Sequence, residues 1–355
     1  MANISITRNC HRHCHFCFAR HELSRHQVAD MPLETYEAAL DFLERSGLPE
    51  ARLLGGEPTE HPLFCDYVNL ALERGFRVLV FSGGLVPRAV LRFMSGLPEE
   101  QFSVVLNSAN PDWDSAHLVA RQKEMGQILG RKLMFGVNIC SPDENPAYIL
   151  DWVKSFDSCR TVRLGIAHPI WGASNTYFKL RGPRRIPLLE NFVEEAARVG
   201  IDVGFDCGFT PCMFSREFVD SRNELFAGRA ESGCTPDTSI KSTSLLSKQT
   251  EGIGVRCGSI VDILPEGECI ACYSLSRFLR IPLPSSEQSR NDLVSFFDRE
   301  LESVLPAGVY PECLMCLFQE KKLCNGGCRA RRALRLRPDS LTLIGPERTP
   351  GQEGS

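Results

Sequence analysis

Cys10, Cys14 and Cys17 stand in the stretch CHRHCHFC, spaced C-x3-C-x2-C, so three thiolates can converge on one side of a tight turn. Three thiolates on a four-iron cubane leave one iron open to a substrate or cofactor, whereas a cluster that only carries electrons is usually closed by four. The same three would serve zinc if His11, His13 or His15 supplied a fourth ligand. We read these histidines instead as shielding or solvating the loop. A second group lies far downstream: Cys257 and Cys272 bracket Gly267 as C-x9-G-x4-C, and Cys313, Cys316, Cys324 and Cys328 follow as C-x2-C-x7-C-x3-C. The chain has 16 cysteines in 355 residues, no run near the roughly 18 to 20 apolar residues of a membrane span, and a start, MANISITRNC, without the features of a secretory signal. It is expected to be cytoplasmic, where structural disulfides do not persist, so most of these thiols are expected to bind metal. Cys65, Cys140 and Cys159 fall on a helix or at element ends and read as small buried hydrophobes.

The elements that must position these residues repeat one unit. A helix from Leu33 to Ser46 follows Pro32, carries Tyr36, Ala39, Leu40 and Leu43 at helical spacing, and stops at Gly47 before the strand ARLL. The pattern recurs with Gly75 before RVLVFS, with Gly130 before KLMFGVNIC and with Gly200 before IDVGF. Alternating strand and helix implies a parallel sheet with right-handed crossovers. Counting from ISIT gives six or seven strands in about 205 residues. The expected fold class is α/β, a partial (β/α)6 TIM-like barrel followed by a small cysteine-rich domain. We place the barrel at residues 1–205, the cysteine-rich domain at 206–338 and a flexible tail at 339–355. Ligands of such sheets sit beyond the carboxyl ends of the strands, which points to the loops CHRHCHFC, GGEPTEHP, SGG, NSANP and AHPIWGASN.

Composition narrows the function classes. Hydrophobic residues at 43% and charged residues at 24% set disordered chains aside. Lysine plus arginine (40) is outnumbered by aspartate plus glutamate (44), which argues against a nucleic-acid binder. The basic run ARRALRLR from Ala330 is expected to be a solvated helix face.

CHRHCHFC, with Phe16 in the aromatic place, resembles the radical S-adenosylmethionine (radical SAM) superfamily signature C-x3-C-x-aromatic-C. The resemblance implies a 4Fe-4S cluster on Cys10, Cys14 and Cys17 whose open iron is chelated by S-adenosylmethionine (SAM). It also implies reductive cleavage to a 5'-deoxyadenosyl radical that abstracts a hydrogen atom. Gly55, Gly56, Glu57 and Pro58 look like the family's GGEP motif, which holds the SAM amino group. Two glycines allow close backbone approach, and Glu57 or nearby carbonyls can accept from an ammonium. Ser82, Asn107, Ser108 and Asn138, at later strand ends, are candidates for contacts to the ribose and methionine parts of SAM.

The downstream cysteines resemble the SPASM-type extension of these enzymes, which holds auxiliary iron-sulfur clusters. This chain has a longer interval before Cys324 and no cysteine after Cys328, so a full second cluster needs a ligand from elsewhere. Cys207 and Cys212, in FDCGFTPCMF, are the obvious donors, with Cys234 and Cys269 as spares. Eight ligands suffice for two closed 4Fe-4S clusters, and the sequence does not assign which cysteine serves which. Zinc is the competing occupant. Asp206, Tyr273 and Cys234 are candidates for a hydrogen donor or general base. The resemblance implies an external electron donor such as flavodoxin or ferredoxin, and a peptide or protein substrate that is oxidised or cross-linked. Only nine residues precede Cys10, which counts against a domain that grips a leader peptide. A small-molecule substrate is the runner-up, and an iron-sulfur electron carrier the alternative of another class.

Overall fold

Seven strands lie parallel and in sequence order: β1 (Asn3–Thr7), β2 (Glu50–Gly55), β3 (Arg77–Ser82), β4 (Phe102–Asn107), β5 (Leu133–Ile139), β6 (Thr161–Ile166) and β7 (Asp202–Phe205). This computed structural model describes residues 1–23, 29–168, 186–206, 208–221, 257–284, 287–320 and 324–336. Cys207, Cys234, the loop beyond His168 and the tail 339–355 lie outside the described residues. After α1 (Arg20–Leu23), the crossovers are α2 (Leu33–Arg45), α3 (Phe64–Glu73), α4 (Arg88–Gly96), α5 (Ala116–Leu129), α6 (Tyr148–Ser155) and α7 (Pro187–Arg198). Six strand-helix units ending in a seventh strand make the partial TIM-like barrel expected from the alternation.

Local chemistry explains the boundaries. α2 buries Tyr36, Ala39, Leu40, Phe42 and Leu43 on one face, and the chain leaves it through Gly47 at φ +63°, a conformation other residues adopt at a cost. α5 starts at Ser115, whose Oγ accepts from the Leu118 amide at 3.2 Å. Every residue of β1 is buried, as a strand covered on both faces must be. Ile4, Leu53, Val78, Val104, Phe135 and Leu164 join the helix faces in one core. Leu79, Val105 and Met134 point the other way into a smaller inner cluster, the alternation of a pleated strand.

The cysteine-rich half does not stand apart from this sheet. β8 (Asp262–Ile263) pairs parallel with β1, and β9 (Glu268–Ile270) and β10 (Arg280–Pro282) add antiparallel strands beyond it. The segment ILPEGECIACY thus forms the hairpin anticipated for presenting Cys272. A buried ion network fastens the hairpin to the first cysteine loop. Arg8 meets Glu266 at 2.6 Å, Arg280 meets Glu268 at 2.8 Å, and Glu22 lies between both arginines.

Beyond α8 (Arg216–Ser221), α9 (Arg290–Glu302) begins in a capping box of Ser289 and Asp292. The short helices α10 (Leu317–Glu320) and α11 (Arg329–Ala333) follow. α11 corrects the solvated-face expectation: Arg332 is only 2% exposed, and its guanidinium holds Glu302 at 2.6 and 2.9 Å, with Arg329 on the same carboxylate at 2.8 Å. The partly solvent-exposed Glu302 carboxylate satisfies these buried charges from within the protein.

Candidate active site

The sequence CHRHCHFC leaves β1 at its carboxyl end, where the β1–β2 register shifts between Ser5 and Thr7. The Cys17 amide returns to the Cys14 carbonyl at 3.1 Å, which folds the loop on itself. Burial pushes the Cys14 thiol up to about 11, and the charges of Cys17 and Cys10 add to it against the pull of Arg12. Cys10 and Cys17 are also raised by burial. The three thiols are therefore close enough to feel one another and, being half-buried, gain by exchanging protons for a metal centre. Among the described residues no three histidine, cysteine or acidic side chains converge within reach of one metal ion.

GGEP packs flush against this loop. Gly55 sits at φ +145°, and a Cβ there would lie 2.2 Å from the Thr7 carbonyl oxygen; at Gly56 it would lie 2.1 Å from that of Asn9. The Gly56 amide donates to Thr7 at 2.8 Å and the Glu57 amide to Asn9 at 2.7 Å, so the second loop is stitched to the chain just before Cys10. Glu57 is buried, and its carboxylate accepts from Thr59 Oγ1 at 2.7 Å, the Gly83 amide at 2.7 Å and Ser82 Oγ at 3.1 Å. Burial raises its pKa against these donors. The carboxylate thus clamps the β2 and β3 loops together, which leaves main-chain carbonyls as the motif's acceptors for a ligand ammonium. Pro58 opens the short turn that Glu57 caps.

The remaining strand-end candidates fall into place around it. Ser82 is committed to Glu57. Asn138 Nδ2 donates to Asn107 Oδ1 at 3.3 Å across the ends of β5 and β4, and the Ser108 hydroxyl turns back to the Leu106 carbonyl at 3.4 Å. His15 stands edge-on to Phe16, at 5.1 Å, and to Trp113, at 5.6 Å. His11 is exposed and pairs with Glu60 at 2.5 Å. Asp206 is ion-paired with Arg163. Tyr273 is buried with its hydroxyl bound to Ser5 Oγ, and burial raises its pKa.

Two positioning residues escaped the sequence reading. Arg12 sends its guanidinium across the barrel mouth to the carbonyls of Gly83 and Ser108, each at 3.3 Å, and of Asn107. Gln122, on α5, donates to the Gly83 and Asn107 carbonyls at 2.8 and 3.0 Å and accepts from the Ala109 amide at 2.7 Å. Neither carries a sequence signal, because both act through carbonyls brought near only by the barrel.

The downstream thiols sort into two neighbourhoods. Burial raises Cys212, which also feels Cys313 and Cys316; burial pushes Cys324 up to about 11, with Cys212 and Cys313 among its neighbours. The Cys316 amide returns to Cys313 at 3.3 Å. Apart from these, Cys328 is in contact with Cys257, and Cys272, raised chiefly by burial, feels Cys328. Asn325 brackets Cys257, accepting from its amide at 3.1 Å and donating to its carbonyl at 2.6 Å. Cys269 is buried in β9. Cys140 and Cys159 are buried as expected, and Cys65 is half-buried against the core.

Residues 4–134 match the family model described as the Radical SAM superfamily. This stretch is a radical SAM domain. It spans β1 to the start of β5 and contains Cys10, Cys14, Cys17 and the GGEP loop. Such a domain carries SAM and a 4Fe-4S cluster, and here the three thiols are the residues that would hold the cluster. Over 83 residues the chain is 35% identical to an S-adenosylmethionine-dependent nucleotide dehydratase of Selenomonas ruminantium; the match covers 23% of this chain and 29% of that one. The shared stretch is thus under a third of that relative's length. The structure of Streptococcus suis SuiB bound to S-adenosylmethionine is similar at a TM-score of 0.56 and 13% identity, over 95% of this chain and 75% of SuiB. SuiB bound to its precursor peptide SuiA gives 0.59 and 14%, over 93% and 71%. At such identity the likeness is one of fold, and it runs well beyond the radical SAM domain. Among the described residues no helix is long and apolar enough to cross a membrane.

Proposed function

We propose that this chain cleaves SAM reductively and uses the resulting radical to modify a peptide or protein substrate, by oxidation or cross-linking, with help from two auxiliary 4Fe-4S clusters. The observation that carries the reading is the three-thiol loop stitched to the two-glycine loop by the Thr7 and Asn9 carbonyls, inside the family-matched stretch. When bound, the cluster and SAM supply a 5'-deoxyadenosyl radical. The protein's own part is positional: Cys10, Cys14 and Cys17 hold three irons, Gly55 and Gly56 let the backbone reach the ligand, and Glu57 and Arg12 fix the loops. Cys212, Cys313, Cys316 and Cys324 offer four thiolates to one auxiliary cluster. Cys257, Cys272 and Cys328 offer three to the other, and Cys207 is a candidate fourth outside the described residues. Closed clusters suit electron transfer, which fits a substrate radical that must be oxidised. An external donor of the flavodoxin or ferredoxin type would deliver the first electron. Asp206 and Tyr273 remain proposed proton-handling groups.

A peptide substrate is supported by the fold shared with SuiB, which was captured with its precursor peptide. A small nucleotide-like substrate is the second reading, favoured by the stretch shared with the nucleotide dehydratase. The test is anaerobic reconstitution, addition of SAM and a strong reductant, and mass spectrometry for 5'-deoxyadenosine. The account expects it from wild type and none from the triple variant Cys10→Ala, Cys14→Ala, Cys17→Ala. Deuterium carried from a labelled peptide, or from a labelled nucleotide, into 5'-deoxyadenosine then separates the two substrate readings.

A further inference from the structure

The loop after β6 ends its described part at His168, an imidazole that no step above uses. Its Nδ1 lies 3.6 Å from the Sγ of Cys328. The ring is held from two sides. Ala167, just before it, donates its amide to Ile139 at 2.9 Å and accepts at its carbonyl from Arg331 Nη2 at 2.8 Å. Phe18, the residue after Cys17, meets the imidazole edge-on with ring centroids 5.4 Å apart. Cys328 itself is buried at the start of α11, where its carbonyl accepts the Arg331 and Arg332 amides at 3.0 Å each. Little water can reach the sulfur, so its charge must be satisfied by protein donors.

We infer that His168 donates an N–H···S hydrogen bond to the Cys328 thiolate and thereby raises the reduction potential of the cluster held by Cys257, Cys272 and Cys328. The inference rests on the auxiliary-cluster reading above. A thiolate has no proton to give, so in this pair the imidazole is the donor. The 3.6 Å separation is an ordinary length for an acceptor as large as sulfur. His168 thus acts as a positioning residue beside the cluster and not as a ligand, which the iron content of its variants tests. Donors to cluster sulfurs stabilise the more negative, reduced state and so move the potential upward. In the other set, among the described residues, Cys212 meets the neutral hydroxyl of Thr210 Oγ1 at 3.1 Å and Cys324 meets the backbone amides of Gly326 and Gly327.

The experiment compares reconstituted wild type, His168→Phe and His168→Asn by iron and sulfide analysis and by redox titration followed by electron paramagnetic resonance. The expected result is equal iron and sulfide in all three, with a lower potential in His168→Phe for one auxiliary signal, the one that Cys272→Ser removes. His168→Asn, which keeps an N–H near the Nδ1 position, recovers much of the shift. An unmoved potential at full iron content would overturn the inference. Loss of about four irons in both variants would overturn it too, by making His168 a ligand. Iron for one cluster only in the wild type would instead sink the auxiliary-cluster reading, and the inference with it.

Discussion

The first cysteine loop draws its thiols from one short run, Cys10 to Cys17, whereas the later sets draw theirs from pieces as distant as Cys212 and Cys328. The first loop is braced by main-chain contacts with GGEP and by Arg12 across the barrel mouth. The later sets hang on the barrel's last strand, the hairpin beside β1 and the turns flanking α10 and α11. On the proposed reading, the site that leaves one iron open is built from a single loop, and the closed sites recruit ligands from several elements. The difference teaches that ligand spacing identifies the first kind, and only the fold sorts the second.

The sharpest way to break this comparison is to remove thiols in pairs. Cys212→Ser and Cys324→Ser are each expected to cost about four irons per chain, and the double variant no more than either alone. Cys212→Ser combined with Cys272→Ser should cost about eight, since the two belong to different clusters. If that pair loses only about four, Cys212 and Cys272 share a cluster and the sorting is wrong.

The next effect concerns the loop contact. Gly56→Ala forces a Cβ to within 2.1 Å of the Asn9 carbonyl oxygen, next to Cys10. It is expected to weaken SAM binding by at least about tenfold, equivalent to about 1.4 kcal/mol. Gly47→Ala, where a Cβ meets nothing within 4 Å at φ +63°, should cost only the backbone strain of about 1 to 2 kcal/mol in stability. Its SAM titration should match wild type.

A pH effect separates the hairpin from the loop. Asp262 on β8 accepts from Asn3 Nδ2 at 2.6 Å and from the Tyr273 amide at 2.9 Å, yet burial dominates and pushes its pKa up to about 7. A carboxyl raised above its unfolded value of about 3.9 favours the folded state while protonated, so its contribution is full at low pH and is lost as pH rises from about 4 to about 7. Urea midpoints should fall across that window, by no more than about 4 kcal/mol in stability, and Asp262→Asn should flatten the fall. A rising midpoint in wild type would contradict the assignment. The smallest change is expected from His11→Ala on the loop's exposed side, where the pair with Glu60 should contribute less than about 1 kcal/mol by the same denaturation measurement.

Much of this was legible before the structure. Helices ending in glycine before β-branched strands gave the parallel barrel, because both signals are local. CHRHCHFC and GGEP marked the first site proposed above, because all their residues lie in two loops after adjacent strands. Arg12, Gln122 and His168 were not legible, since their partners lie 13 to 160 residues away on other elements and are mostly main-chain groups or one buried sulfur. The run ARRALRLR misled for the same reason: Arg332 looks solvated until Glu302, 30 residues upstream, is seen to receive it.

The most direct test follows the cluster signals as SAM is added to the reduced protein. Electron paramagnetic resonance should show one signal that changes with SAM and is missing from the Cys10→Ala, Cys14→Ala, Cys17→Ala variant, while the auxiliary signals stay as they were. A protein in which no signal responds, or in which an auxiliary signal responds instead, would contradict the division between one open and two closed sites.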